Sequence, residues 1–116
     1  MNGARQHLPD RRRSEIYCFD LDGIAHRSQV SFFEDGWLGE IFVDVVCKPK
    51  IGGPKTGSSA EIAAHDAGVS ASLALQFGCP AEVLRHALTK LSDGTSAGPI
   101  GRTLDLLAED AAGGAP

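Results

Sequence analysis

Between Glu15 and Cys47 apolar and polar residues alternate in three runs, separated by the pairs Asp22-Gly23 and Asp35-Gly36. Alternation with a period of two marks half-buried strands. Asp-Gly favours a two-residue type I′ turn, because both central residues of that turn need positive φ. The pattern predicts an antiparallel meander with strands over Glu15–Leu21, Ile24–Glu34 and Trp37–Lys48. Two-residue loops also set the register, with Leu21 opposite Ile24, Phe19 opposite His26 and Tyr17 opposite Ser28 in the first hairpin. In the second, Glu34 faces Trp37, Phe33 faces Leu38, Val30 faces Ile41 and Arg27 faces Asp44. One sheet face then carries Tyr17, Phe19, His26, Ser28, Val30, Ile41, Val43 and Val45, and is the core side. The other carries Ile16, Cys18, Asp20, Arg27, Gln29, Phe42, Asp44 and Val46, with Arg27 and Asp44 as a cross-strand pair. Ile16, Phe42 and Val46 leave an apolar stripe on this second face, which points to contact with another subunit.

After Val46 the period changes. Lys48 to Gly57 reads as a loop with two prolines and three glycines. Ser58 and Glu61 form a Ser-x-x-Glu capping box, and an Ala-rich helix runs from there to about Phe77, closed by Gly78. Ile62, Val69, Leu73 and Phe77 make one apolar stripe on it; Ala60, Ala64, Ala67, Ala71 and Leu75 make a second stripe of mostly small residues. A helix apolar on two sides is expected to be central, touching the sheet with one and a helix with the other. Pro80 opens a second helix with Val83, Leu84, Ala87, Leu88 and Leu91 on one face and Arg85, His86 and Lys90 on the other. The stretch Ser92–Gly98 breaks the chain, and Pro99 opens a third helix with Ile100, Leu104, Leu107 and Ala108 aligned. The predicted fold class is α+β: a three-stranded antiparallel meander followed by three helices packed on one sheet face, βββααα.

The chain has 116 residues, 42% of them hydrophobic and 22% charged, which suits one domain; no apolar run is long enough to cross a membrane. The expected division is a disordered basic tail over 1–13, a single domain over 14–110 and a flexible tail over 111–116. Residues 1–13 hold four arginines against Asp10, a net +3, whereas the rest holds seven basic and fourteen acidic residues, a net −7. A body this acidic repels a phosphate backbone, so nucleic acid is not an expected partner, and neither is a membrane. Cys18, Cys47 and Cys79 are an odd number at wide spacing, which points to a reducing, cytoplasmic setting rather than a disulfide framework. With His65 and His86 they have no ligand pair at zinc spacing, and no metal or cofactor is expected.

Two strings carry candidate chemistry. Cys18-Phe19-Asp20-Leu21-Asp22-Gly23-Ile24 resembles the first motif of haloacid-dehalogenase-type phosphatases, in which Asp20 would be the nucleophile and Asp22 the general acid, with Mg²⁺ between them. That chemistry needs the motif inside a parallel sheet, whereas Asp22-Gly23 reads here as a hairpin turn. The second string runs from Gly52 to Ser59, just before a helix. It has the glycine spacing of a Walker loop at Gly52 and Gly57, but Ser58 stands where the lysine belongs. What remains is a site for a phosphate or nucleotide formed by Gly52, Gly53, Lys55, Gly57, Ser58 and Ser59, using free amides at the helix start. Its alternative is an ordinary connecting loop with a helix cap.

From Leu38 onward the chain resembles the TSCPD domain, a module often found at the C-terminal end of adenosylcobalamin-dependent ribonucleotide reductases. The resemblance rests on the strand Gly39–Val43 with its following Gly-rich loop, on Ala71-Ser72-Leu73-Ala74-Leu75-Gln76-Phe77-Gly78-Cys79-Pro80, and on Thr95-Ser96-Ala97-Gly98-Pro99-Ile100-Gly101-Arg102-Thr103-Leu104. The last segment is similar to the family's Thr-Ser-Cys-Pro-Asp string. Ala97 and Gly98 replace its cysteine and no aspartate follows Pro99, so no role of that cysteine carries over. The reductase's radical-generating barrel has no counterpart in so short a chain. The resemblance implies a non-catalytic accessory or regulatory module linked to ribonucleotide reduction. Its expected partners are a second copy, as a homodimer, and a reductase subunit or related protein.

Overall fold

A computed structural model describes residues 4–46 and 59–113, with side chains to residue 111. Three strands, β1 (Ser14–Leu21), β2 (Ile24–Phe32) and β3 (Leu38–Val45), precede three helices, α1 (Ser59–Gln76), α2 (Ala81–Ala87) and α3 (Pro99–Gly113). The sheet is antiparallel in the order β1-β2-β3, so the α+β architecture follows the chain order expected from its periodicities. Among the described residues no helix is long and apolar enough to cross a membrane.

The first hairpin has the predicted turn: Asp22 and Gly23 both take positive φ, 52° and 76°, and Leu21 pairs with Ile24. The second turn is different. Gly36 alone has positive φ, the Gly36 amide donates to the Phe33 carbonyl, and the Phe33 amide donates to the Trp37 carbonyl. This is a three-residue loop, Glu34-Asp35-Gly36, with glycine in the left-handed position. The extra loop residue would push every following pair out of register, and a bulge at Gly39 restores it. Phe32 faces Leu38, Ser31 faces Glu40, and beyond the bulge Val30 faces Ile41 and Arg27 faces Asp44 as expected. Gly39 is required there, since a Cβ would lie 2.6 Å from the Phe33 ring and 2.8 Å from Leu8.

The inner sheet face is the expected one. Val30, Ile41 and Val43 are buried on it together with His26 and Ser28, and α3 supplies Ile100 and Leu104 to the same core. His26 stacks on Phe19, with ring centroids 5.6 Å apart, and its Nδ1 lies 2.8 Å from the Ile24 carbonyl. Tyr17, half-buried on this face, donates to Asp110 of α3 at 2.9 Å. Burial, then the Asp110 and Glu15 carboxylates, push the phenol upward, so it remains a donor.

Helix α1 runs alongside β3, antiparallel to it, rather than over the middle of the sheet. The Ser72 hydroxyl accepts from the Ile41 amide and donates to the Ile41 carbonyl, both at 3.0 Å, and the Gln76 side-chain amide donates to the Gly39 carbonyl at 2.9 Å. Helical side chains thus take the place of a fourth strand on the open edge of β3. The approach is close: a Cβ at Gly68 would lie 3.1 Å from the Ile41 carbonyl oxygen. So the small-residue side, with Ala64, Gly68, Ala71, Ser72, Leu75 and Gln76, is buried. The expectation that the larger stripe also packs within the chain is corrected: Ile62, Val69, Leu73 and Phe77 are all exposed, at 38–52%.

The C-terminus of α1 closes on Gly78 as predicted, at φ 102°, with the Cys79 amide donating to the Ala74 carbonyl and the Gly78 amide to the Leu75 carbonyl. Helix α2 is shorter than its apolar pattern. Leu88 is already extended and Leu91, outside the helix, is exposed, because the chain turns back to pair Lys90 with Ser96.

Residues 4–13, expected as a disordered tail, contain no helix or strand but lie against the body. The Gln6 amide donates to the Gln76 carbonyl at 2.8 Å and Arg5 Nε to Gln76 Oε1 at 2.6 Å. Arg12 pairs with Glu40 at 3.4 Å, and the Arg13 guanidinium sits 4.1 Å over the Phe32 ring.

Because Ser72 satisfies two buried backbone groups at once, Ser72→Ala is expected to lower the unfolding free energy by about 2 kcal/mol in urea titrations. Ser70→Ala, an exposed change on the same helix, is expected to stay within about 0.5 kcal/mol.

Candidate functional site

The sequence-derived phosphate loop falls almost wholly outside the described residues: Gly52, Gly53, Lys55, Gly57 and Ser58 are among those not described, as is Cys47. Ser59 is the first residue of α1 and is exposed, and the first turn of that helix carries Glu61. A carboxylate in a first turn competes with a bound anion for the helix-end amides.

The apolar residues of the outer sheet face are placed individually. Ile16 and Phe42 both pair with Gln29, from opposite sides, so they lie in one row across the sheet with Gln29 between them. Ile16 is 63% exposed and Val46 44%. Phe42 is half-buried, its ring beside Gly68 of α1. The three do not form one compact patch, because Arg27 and Asp44 stand on the same face and pair at 4.0 Å. The Phe42–Gly68 contact instead joins this face to helix α1. The missed surface is the α1 stripe itself, whose outward direction follows from Ser72 and Gln76 facing β3.

Asp20 is exposed on β1, which is an edge strand, and Asp22 lies in the hairpin turn. This is the antiparallel context read from the sequence, not the parallel-sheet setting that the phosphatase motif needs. Among the described residues no three His, Cys, Asp or Glu side chains are grouped so as to hold a metal ion. Cys18 is exposed, and the Cys79 thiol faces the Pro80 carbonyl at 3.6 Å.

The segment Thr95–Leu104, which carries the last part of the family resemblance, is organised around a buried carboxylate. Asp105 accepts from Arg85 Nε at 2.8 Å and from the Ser96 amide at 3.0 Å. Burial alone would raise the Asp105 pKa, but the Arg85 guanidinium and the Ser96 amide reverse this and hold it below the ordinary carboxylate range. Arg85, assigned by helical periodicity to the solvent side, reaches from α2 to α3; it also pairs with Glu82 at 3.3 Å. Gly101 fits against Ser96, where a Cβ would lie 2.8 Å from its side chain. In the same loop Asp93 Oδ1 accepts from the Thr95 hydroxyl and amide at 2.6 and 2.9 Å, and Lys90 Nζ donates to the Arg85 and Leu88 carbonyls at the end of α2. Among the described residues of this network, the buried Ser96 hydroxyl has no hydrogen-bond partner. The arrangement locks α2, the loop and α3 together.

A larger concavity lies elsewhere, at the tip of the second hairpin. A groove of about 660 Å³ is walled by Gln6, His7 and Pro9 from the N-terminal segment, by Phe33, Glu34, Asp35 and Trp37 from the hairpin, and by Leu75 and Gly78 from the end of α1. A second hollow, of about 220 Å³, lies between that hairpin and the helices α2 and α3.

Compared with protein-family models, curated proteins and solved structures, the chain finds no match.

The folded-state pKa of Asp105 lies below its ordinary value of 3.8, so the stability it contributes is complete above about pH 5 and is lost as pH falls through the depressed value. Asp105→Asn is expected to destabilise the protein by about 1–3 kcal/mol at neutral pH. In thermal melts at stepped pH, the gap between variant and wild type should hold down to about pH 5 and narrow below about pH 4.

Proposed function

We propose that this chain is a non-catalytic accessory module of the TSCPD type, linked to ribonucleotide reduction, that acts through protein contacts. The outward face of α1 is the contact surface and a second copy is its first partner. The observation that carries this reading is the inverted helix: α1 turns its small residues to β3 and its large ones, Ile62, Val69, Leu73 and Phe77, to solvent. Val69, Leu73 and Phe77 are four residues apart, so they form a single ridge of the kind that interlocks with a matching ridge on another helix. Paired about a two-fold axis, two copies of this ridge would bury each other's apolar area, the commonest arrangement of soluble oligomers. The link to ribonucleotide reduction rests on the resemblance of residues 38–104. A docking role also agrees with the Asp105 network, whose polar groups serve packing.

The test is sedimentation velocity over a wide concentration range. The wild type is expected to sediment as a dimer, and Val69→Glu/Leu73→Glu as a monomer with an unchanged circular dichroism spectrum. A wild type that stays monomeric at high concentration, or a dimer that the double variant leaves intact, would contradict self-association through α1. Co-sedimentation with an adenosylcobalamin-dependent reductase, and its loss in the double variant, tests the assigned partner.

A further inference from the structure

We infer that the groove at the tip of the second hairpin is a binding site for an extended basic segment of a partner polypeptide, held through an arginine or lysine side chain. The groove is distinct from the ridge on α1, and neither reading requires the other.

The groove combines three properties. Its walls are apolar and flat-sided: Trp37 is 56% exposed, Phe33 is half-buried beside it, and Pro9 and Leu75 complete the lining. Its charge has one sign. Glu34 and Asp35 stand on the hairpin loop, and among the described residues no lysine or arginine lines the groove and neither carboxylate has an ion-pair partner. The acids that do pair with arginine, Glu40, Asp44, Glu82 and Asp105, face Arg12, Arg27 and, for the last two, Arg85. Its frame is held in place: Asp35 Oδ1 accepts from the Trp37 amide at 3.0 Å, the loop closes on Phe33, and the Gln6 amide is bonded to Gln76. Aromatic faces beside unpaired carboxylates recognise cations that carry an apolar stem, which describes arginine and lysine side chains. At about 660 Å³ the groove is larger than one such side chain needs. It lies open along the surface between three chain segments, and so admits a peptide with flanking residues against Pro9 and Leu75.

Trp37 is the only tryptophan in the chain, so its emission reports on this groove alone. The experiment titrates the full chain with a blocked Ala-Arg-Ala-Arg-Ala peptide at about pH 8. An Ala-Glu-Ala-Glu-Ala peptide and free arginine amide are run in parallel. The expected result is a saturable change in emission with the basic peptide only, weakened by added salt. Binding should be about tenfold weaker in Glu34→Gln/Asp35→Asn, a variant that keeps both the reporter and the acceptor at position 35. Equal melting temperatures for variant and wild type would show that the fold is not the cause. No saturable change, an equal response to the acidic peptide, or unchanged affinity in the double variant would overturn the site. Binding of arginine amide as tight as the peptide would make the occupant a small cation. A shift of Trp37 emission with protein concentration alone would make it a second copy. Either result overturns the assignment to a partner peptide.

Discussion

The open edge of β3 is the constraint on which the rest of this structure depends. A three-stranded sheet leaves an edge of amides and carbonyls that must find partners, and in this chain a helix supplies them. Ser72 bonds both backbone groups of Ile41 and Gln76 bonds the carbonyl of Gly39. Side chains this short reach a strand only if the helix comes close, and closeness admits only small neighbours, hence Gly68 against Ile41 and Phe42. Once that side is committed to alanine, glycine and serine, the large apolar residues of α1 have no place within the chain and face outward. The outward apolar ridge of α1 is thus a consequence of edge protection.

The same helix end organises the N-terminal segment. Gln76 serves three partners: its side-chain amide meets Gly39, its side-chain oxygen meets Arg5, and its main-chain carbonyl meets the Gln6 amide. These bonds lay residues 5–9 beside the second hairpin, where the bulge at Gly39 leaves room for Leu8. The groove with Trp37, Glu34 and Asp35 exists only because this segment forms its third wall. On the other side of the core, Asp105 holds α2 and the loop before α3 through Arg85 and Ser96, so a helix of seven residues stays in place without burying any residue fully.

Much of the sheet was legible in the sequence, because alternation and Asp-Gly are local signals. The first turn, the inner face from Tyr17 to Val43 and the pairing of Arg27 with Asp44 all follow from them. The second turn shows where locality ends. Asp35-Gly36 belongs to a three-residue loop, and the register survived only because Gly39 takes up the additional residue. The direction of α1 was hidden for another reason: hydrophobicity ranks side chains by apolar area, whereas contact with a strand edge selects small size and hydrogen bonding. Ser72 and Gln76 carried that signal, but only a three-dimensional edge gives it meaning. Arg85 was placed by periodicity on the solvent side, yet its length lets it cross to Asp105. The groove draws on three distant segments, and a lone Trp beside Glu34 and Asp35 was the one local hint of it.

The most direct measurement of the central claim is residue-resolved hydrogen exchange on the intact chain, read at the Ile41 amide. If the Ser72 hydroxyl closes the edge, this amide exchanges as slowly as the amides that pair within the centre of β2, through global unfolding rather than local opening. An Ile41 amide that exchanged as fast as those of the Asp22-Gly23 turn would show an uncovered edge. The inward packing of small residues on α1, and the outward ridge derived from it, would then lose their basis.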